Sequence, residues 1–258
     1  MNRIKIAQES INKLGGKTYL EIGVSKGHSF FTINARRKIA VDPAFQFNPK
    51  KYPSKREMVC YQSLKLLNTF KKWIGLEEQM YFEMTSDSFF KNHYHTFNDD
   101  KIDVALVDGL HTYEQVLQDV MNCLNYLNDG GVIIMHDCSP TTNAMAVRAH
   151  SIEEARLRNP PDWDLLWCGD VWKAIVSLRC LPDLDVCVID CDTGIGIVQK
   201  KSSSNRLTLS ISAIENLTYD DLCANRNQLL NLKPESFFFE ILKGMKPFVH
   251  FTKQPEIE

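Results

Sequence analysis

A ten-residue stretch from Thr18 to Gly27, reading TYLEIGVSKG, restricts this chain more than any other. Tyr19, Leu20 and Ile22 are apolar and rich in β-branched or aromatic character, which suits a buried strand. Glu21 interrupts the run with a carboxylate, costly there unless it is paired or placed at a site. Gly23, Ser25, Gly27 and Ser29 follow. Small residues at a strand's end let a ligand approach the backbone, and a helix starting near Gly27 aims free N–H groups at it. Strand, glycine turn and helix open a nucleotide-binding half-sheet. Two glycines also occur in ordinary surface turns, so alone the stretch leaves both readings open.

The 258 residues are enough for one large α/β domain, or one domain with appendages. A formal net charge of -2 offers nothing to nucleic acid. The eight cysteines are scattered without a Cys-x-x-Cys pair, which argues for reduced thiols over a zinc site or a disulfide frame. No apolar run approaches bilayer length, and the N-terminus lacks a signal peptide's apolar core. The expectation is a soluble cytoplasmic protein with no membrane partner.

In chain order, Ile4, Ala7, Ile11 and Leu14 recur at helical spacing and Gly15-Gly16 stops them. A helix is expected over about Ser29 to Arg37, then a strand at Ile39 to Val41 with Asp42 at its carboxyl end. An acid there can accept both ribose hydroxyls of a nucleotide, or simply make an Asp-Pro turn. Residues 44–79 read as an insertion with a helix around Leu64 to Phe70. Met80 to Met84 suggest a third strand. After it, Ser86, Asp87 and Ser88 can meet an adenine edge, or Ser86 or Asp87 simply caps the next helix.

Ile102 to Val107 form a buried strand pattern ended by Asp108-Gly109. Thr112 and Gln115 have capping-box spacing for the next helix. Val132 to Met135 form another strand, closed by His136-Asp137. Asp108, His111, His136 and Asp137 thus fall at the carboxyl ends of adjacent strands, the edge where open α/β sheets bind ligands. Cys138 to Asp170 is long and irregular, as functional loops often are. Leu184 to Ile189 and Gly194 to Gln199 suggest an edge hairpin, and a helix is expected from Tyr219 to Leu230 behind Thr218. The phenylalanine-rich stretch from Phe237 to Leu242 needs a covering surface, on the core or on a second subunit of a homo-oligomer.

Taken in order, YLEIGVSKG, IAVDP, TSDS, DVALVDGLH and LNDGGVIIMHD resemble class I S-adenosylmethionine-dependent methyltransferases, and within them the branch with metal-assisted sugar and antibiotic O-methyltransferases. The correspondence runs from about Thr18 to Gln199. It implies a doubly wound, mostly parallel seven-stranded α/β sheet with an antiparallel edge hairpin, residues 1–201 as the methyltransferase domain, and residues 202–258 as an extension. It implies S-adenosylmethionine held by Glu21, Gly23, Ser25, Gly27, Ser29, Asp42, Ser86, Asp87, Ser88 and Asp108. It also implies a divalent metal, Mg²⁺ or Mn²⁺, at Asp108, His136 and Asp137. Metal-dependent members usually carry two adjacent acids where this chain has His136-Asp137, though histidine also ligates several divalent ions.

Methyl transfer requires the acceptor held in line with the sulfonium and made nucleophilic. A base such as His111 beside Asp108 can take the acceptor's proton, or a metal can lower its pKa. The expected acceptor is a small hydroxylated, sugar-like molecule, with Trp163 and Trp167 available to stack on it. Two other classes share parts of the pattern: a nicotinamide-dinucleotide oxidoreductase, against which the Gly-x-x-x-Gly spacing argues, and a non-catalytic cofactor-binding protein.

Overall fold

The structure, a computed structural model, describes residues 1–49, 77–158 and 160–248. The helix expected around Leu64 to Phe70 lies outside them. Helix α1 (Arg3–Leu14) begins at Asn2, whose side chain accepts from the Lys5 amide, and ends at Gly15 in the left-handed region. It leads into β1 (Thr18–Ile22), all of whose residues are buried. The next helix, α2 (His28–Thr32), is shorter than expected, because Ile33 turns to extended backbone and Arg37 already opens β2 (Arg37–Asp42).

Strand β3 (Glu78–Glu83), α3 (Ser86–Asn92), β4 (Ile102–Val107), α4 (Tyr113–Tyr126) and β5 (Leu127–Met135) complete the parallel half. Asp129-Gly130-Gly131 lie within β5. Two short helices, α5 (Ile152–Leu157) and α6 (Trp172–Leu178), precede β6 (Leu184–Ile189) and β7 (Ile195–Lys200). The C-terminal segment carries α7 (Ile211–Glu215), α8 (Tyr219–Leu230), β8 (Leu232–Lys233) and α9 (Phe237–Gly244). Helix α8 has the expected cap, with Thr218 and Asp221 bonding each other's backbone.

The strands form one sheet in the order β3-β2-β1-β4-β5-β7-β6-β8. Strands β1 to β5 run parallel, β7 lies antiparallel between β5 and β6, and β8 pairs parallel with β6. The expected Rossmann-like sheet with its antiparallel hairpin is therefore present, widened by an eighth, two-residue strand. Every residue of β4 is buried, as befits a central parallel strand covered on both faces.

One apolar layer joins α4 and α6 to Leu20, Ile22 and Val107. The other joins α1 and α2 to Tyr19, Val104 and Ile134, and there Phe238 of α9 is fully buried. The phenylalanine-rich stretch is thus partly covered by the chain's own core, while Phe239 stays half exposed. Among the described residues no helix is long and apolar enough to cross a membrane, and the described cysteines are free thiols.

Candidate active site

The parallel strands all end on one edge, and the turns that leave them build a cavity of about 430 Å³, within the ~300–1,000 Å³ range of small-molecule sites. Gly23, Ser25, Asp42, Ser86, Asp87 and Asp108 line it. Gly23 is obligatory there: its φ is +84°, and a Cβ would stand 2.0 Å from the Asp108 carbonyl oxygen. Asp42 accepts from the Ser25 amide through Oδ2 and the Ala44 amide through Oδ1, both at 2.8 Å. It therefore shapes the turn, as an Asp-Pro turn should. Each carboxylate oxygen has a second lone pair, so the carboxylate can also take hydroxyl donors from the cavity.

Glu21, Gly27, Ser29 and Ser88 are not part of the cavity wall. Glu21 points with Tyr19 to the α1 side, where the Tyr19 hydroxyl donates to it at 2.6 Å. Burial pushes its pKa up to about 8, Tyr19's bond opposing. Gly27 is the left-handed residue before α2, and Ser29 is buried within that helix. Ser88 donates its amide to Thr85, which caps α3. The expectation that Ser86 or Asp87 caps that helix is thus corrected by one position.

Beside the cavity stands a cluster of acids and histidines. His111 Nε2 is 3.6 Å from Asp108 Oδ1 and 3.4 Å from Asp137 Oδ2. His136 Nδ1 is 3.2 Å from Asp108 and 3.0 Å from Asp137. Asp137 adopts φ 59°, and its Oδ1 accepts from the Thr193 hydroxyl at 2.6 Å. The hairpin turn before β7 is strapped to this strand end by Cys138 and Ser139 amides donating to Gly194 and Thr193 carbonyls.

Burial disfavours ionised Asp108, but hydrogen bonds from His111 and His136 outweigh it and hold the carboxyl well below its usual range. Burial likewise disfavours imidazolium at His111, and Asp108 and Asp137 reverse that, raising its pKa. The same acids and Asp192 raise that of His136 against its burial. Arg3 Nη1 lies 3.1 Å from His136 Nε2.

Several members of the site escaped sequence reasoning. Arg3 reaches in from α1 to within 3.2 Å of Asp108 and 3.4 Å of Asp192. Its role rests on the docking of α1, which no local pattern encodes. Gln115, Asp119, His150 and Trp167 line the cavity. His150 has no motif around it, whereas Asp119 lies one helical turn beyond Gln115. Thr112 makes no side-chain cap for α4. Asp170 replaces it, accepting from the Tyr113 amide at 2.8 Å while held by Arg148 at 2.7 Å. Gln115, freed from a capping role, donates toward Ser86, Asp87 and Asp119.

Trp167 packs tilted on His111, ring centroids 4.9 Å apart, and its carbonyl lies 3.0 Å from His111 Nδ1. Gly169, at φ +61°, lets this loop pass the His111 carbonyl, which a Cβ would meet at 1.9 Å. Trp163 is half buried and not on the cavity wall. For a metal, the donors that converge are Asp108, His111 and Asp137, all within 4.8 Å of one another. The expected His136 stands beside them, its Nδ1 3.2 Å from Asp108 and 3.0 Å from Asp137.

Comparison with known proteins agrees with the strand-end motifs. Residues 20–138 match the family described as "Methyltransferase domain". No curated protein sequence matches the chain. Among solved structures, a putative caffeoyl-CoA O-methyltransferase from Staphylococcus aureus is 15% identical with a TM-score of 0.47, over 76% of this chain and 82% of that one. An O-methyltransferase from Bacillus cereus is 10% identical with a TM-score of 0.46, over 78% and 82%. The methyltransferase PaMTH1 from Podospora anserina is 18% identical with a TM-score of 0.45, over 78% and 80%. Likenesses at that level carry no weight on function. The match over residues 20–138 is to a methyltransferase domain, the general class that the ordered motifs resemble.

Proposed function

We propose that the chain transfers a methyl group from S-adenosylmethionine to an oxygen of a small hydroxylated, sugar-like acceptor. One observation carries this reading: Asp108 lines the cavity and also belongs to the histidine–acid cluster. A cofactor with its ribose at Asp42 and its amino-acid end toward Gly23 and Ser25 brings its sulfonium toward that cluster. In the transfer the acceptor oxygen bonds to the methyl carbon as the carbon–sulfur bond breaks, and the acceptor's proton must go to a base. His111, made more basic by Asp108 and Asp137, takes it, and the two carboxylates stabilise the imidazolium that forms. The segment from Cys138 to Asp170 supplies His150 and Trp167 to the wall, and Trp167 offers an apolar face for a sugar ring. Residues 1–201 form the catalytic unit in this reading and 202–258 its extension. Free thiols fit a cytoplasmic setting.

Asp108, His111 and Asp137 also fit Mg²⁺ or Mn²⁺: two hard carboxylates and one ring nitrogen within coordinating reach. Such an ion lowers the pKa of a bound hydroxyl. His111 would then be a ligand, so the two roles exclude each other. Turnover of methyl-labelled cofactor with sugars, phenols, amines and nucleic acids, with and without chelator, separates them. The expected result is label on a hydroxyl, with His111→Ala lowering turnover by about 10²- to 10⁴-fold. Chelator resistance assigns the base; loss restored by Mg²⁺ or Mn²⁺ assigns the ligand. Label only on an amine or nucleic acid overturns the acceptor, and full turnover in His111→Ala removes that residue from the chemistry.

A further inference from the structure

Asp119 is a charged-type residue in an uncharged setting. It is 1% exposed, yet it forms part of the cavity wall. Its partners are neutral: Gln115 Nε2 donates to Oδ1 at 3.0 Å, and Ser86 donates as well. The charged group that acts on it is another acid, Asp87 in the first turn of α3, and burial and Asp87 together raise its pKa to about 6. Oδ2 lies toward Gly109, another residue of the cavity wall: a Cβ there would stand 3.7 Å from it. A buried carboxyl without a cation is expensive, and this one is not consumed by the methyl-transfer chemistry: His111, Asp108 and Asp137 account for that. Its neighbours along the cavity, Ser86 and Asp87, are the ones read from sequence as meeting an adenine edge.

We propose that Asp119 reads the adenine of the cofactor, a carboxyl oxygen accepting from the exocyclic N6 amine. The inference rests on the S-adenosylmethionine reading of the cavity and assigns to it a specificity residue. A carboxyl oxygen is an acceptor, the complement of adenine's N6–H donor. Gln115 does not read the base itself. It bridges Ser86, Asp87 and Asp119 and holds the carboxyl in place, a role that the missing cap on α4 leaves it free to perform.

The test is a binding cycle by calorimetry, with wild type, Asp119→Asn and Asp119→Ala each titrated with S-adenosylhomocysteine and with its analogue lacking the 6-amino group. Wild type should bind the analogue about tenfold or more weakly, the loss expected for one partner of a buried hydrogen bond. Asp119→Ala should bind S-adenosylhomocysteine about ten- to a hundredfold more weakly than wild type and discriminate little between the two ligands. Asp119→Asn, which keeps an acceptor oxygen, should restore both affinity and discrimination, and it guards against a fold lost in the alanine variant. Equal discrimination in wild type and Asp119→Ala overturns the assignment while leaving the cofactor reading intact. Failure of wild type to bind S-adenosylhomocysteine overturns the cofactor reading, and the assignment with it.

Discussion

The cavity and the cluster beside it are built in different ways. The cavity is largely a backbone construction: a positive φ at Gly23, turn amides that aim Asp42, and strand ends in register. The cluster is a side-chain construction, drawing Arg3, Asp108, His111, Asp137 and Thr193 from segments distant in sequence. A backbone site tolerates little change at a few glycines and turns. A side-chain site spreads its dependence over many contacts, and its parts can be exchanged singly.

The largest expected effect follows at Gly23. Gly23→Ala forces a Cβ against the Asp108 carbonyl at a φ of +84°, so denaturant unfolding should show several kcal/mol of destabilisation, or no folded protein. A change below about 1 kcal/mol would mean that the backbone of the cavity yields as readily as the cluster.

Glu21 sharpens the contrast, because it belongs to the glycine motif in sequence but to the sheet's other face in space. Its folded pKa, about 8, stands above the ordinary 4.5. The folded state therefore binds its proton more tightly than the unfolded chain. The stabilisation is complete below about pH 4.5 and is lost as pH rises through 8. Against Glu21→Gln, which keeps a neutral side chain, wild type should lose on the order of a few kcal/mol between pH 5 and pH 9 in thermal or denaturant unfolding. Parallel pH profiles for the two proteins would show that Glu21 is already ionised in the fold.

The cap of α4 gives the smaller effects. Asp170→Ala removes the carboxylate that accepts from Tyr113 and pairs with Arg148, and should cost about 1–2 kcal/mol. Thr112→Val keeps the shape of a buried side chain that makes no cap bond, and should change stability by less than about 0.5 kcal/mol. The reverse ranking would reinstate the capping box that the sequence suggests.

These cases show what was legible. β1, the helix from Tyr219 to Leu230, the edge hairpin and the strand-end positions of Asp42, Asp108 and His136-Asp137 follow from local periodicity and turn chemistry. Arg3, His150 and Asp170 do not, because each is brought to the site by packing between elements far apart in sequence. The capping box failed for a related reason. Thr112 and Gln115 have the right spacing, but a carboxylate from a distant loop reached the helix end and Gln115 turned to the cavity.

The central claim is that the cavity at the strand ends is the S-adenosylmethionine site. Its most direct test is calorimetric titration of wild type and Asp42→Ala with S-adenosylhomocysteine. Wild type should bind with one site per chain, and Asp42→Ala should bind about ten- to a hundredfold more weakly, since the ribose loses a charge-assisted hydrogen-bond acceptor. Equal affinity in the two proteins, or no binding by wild type, would contradict it.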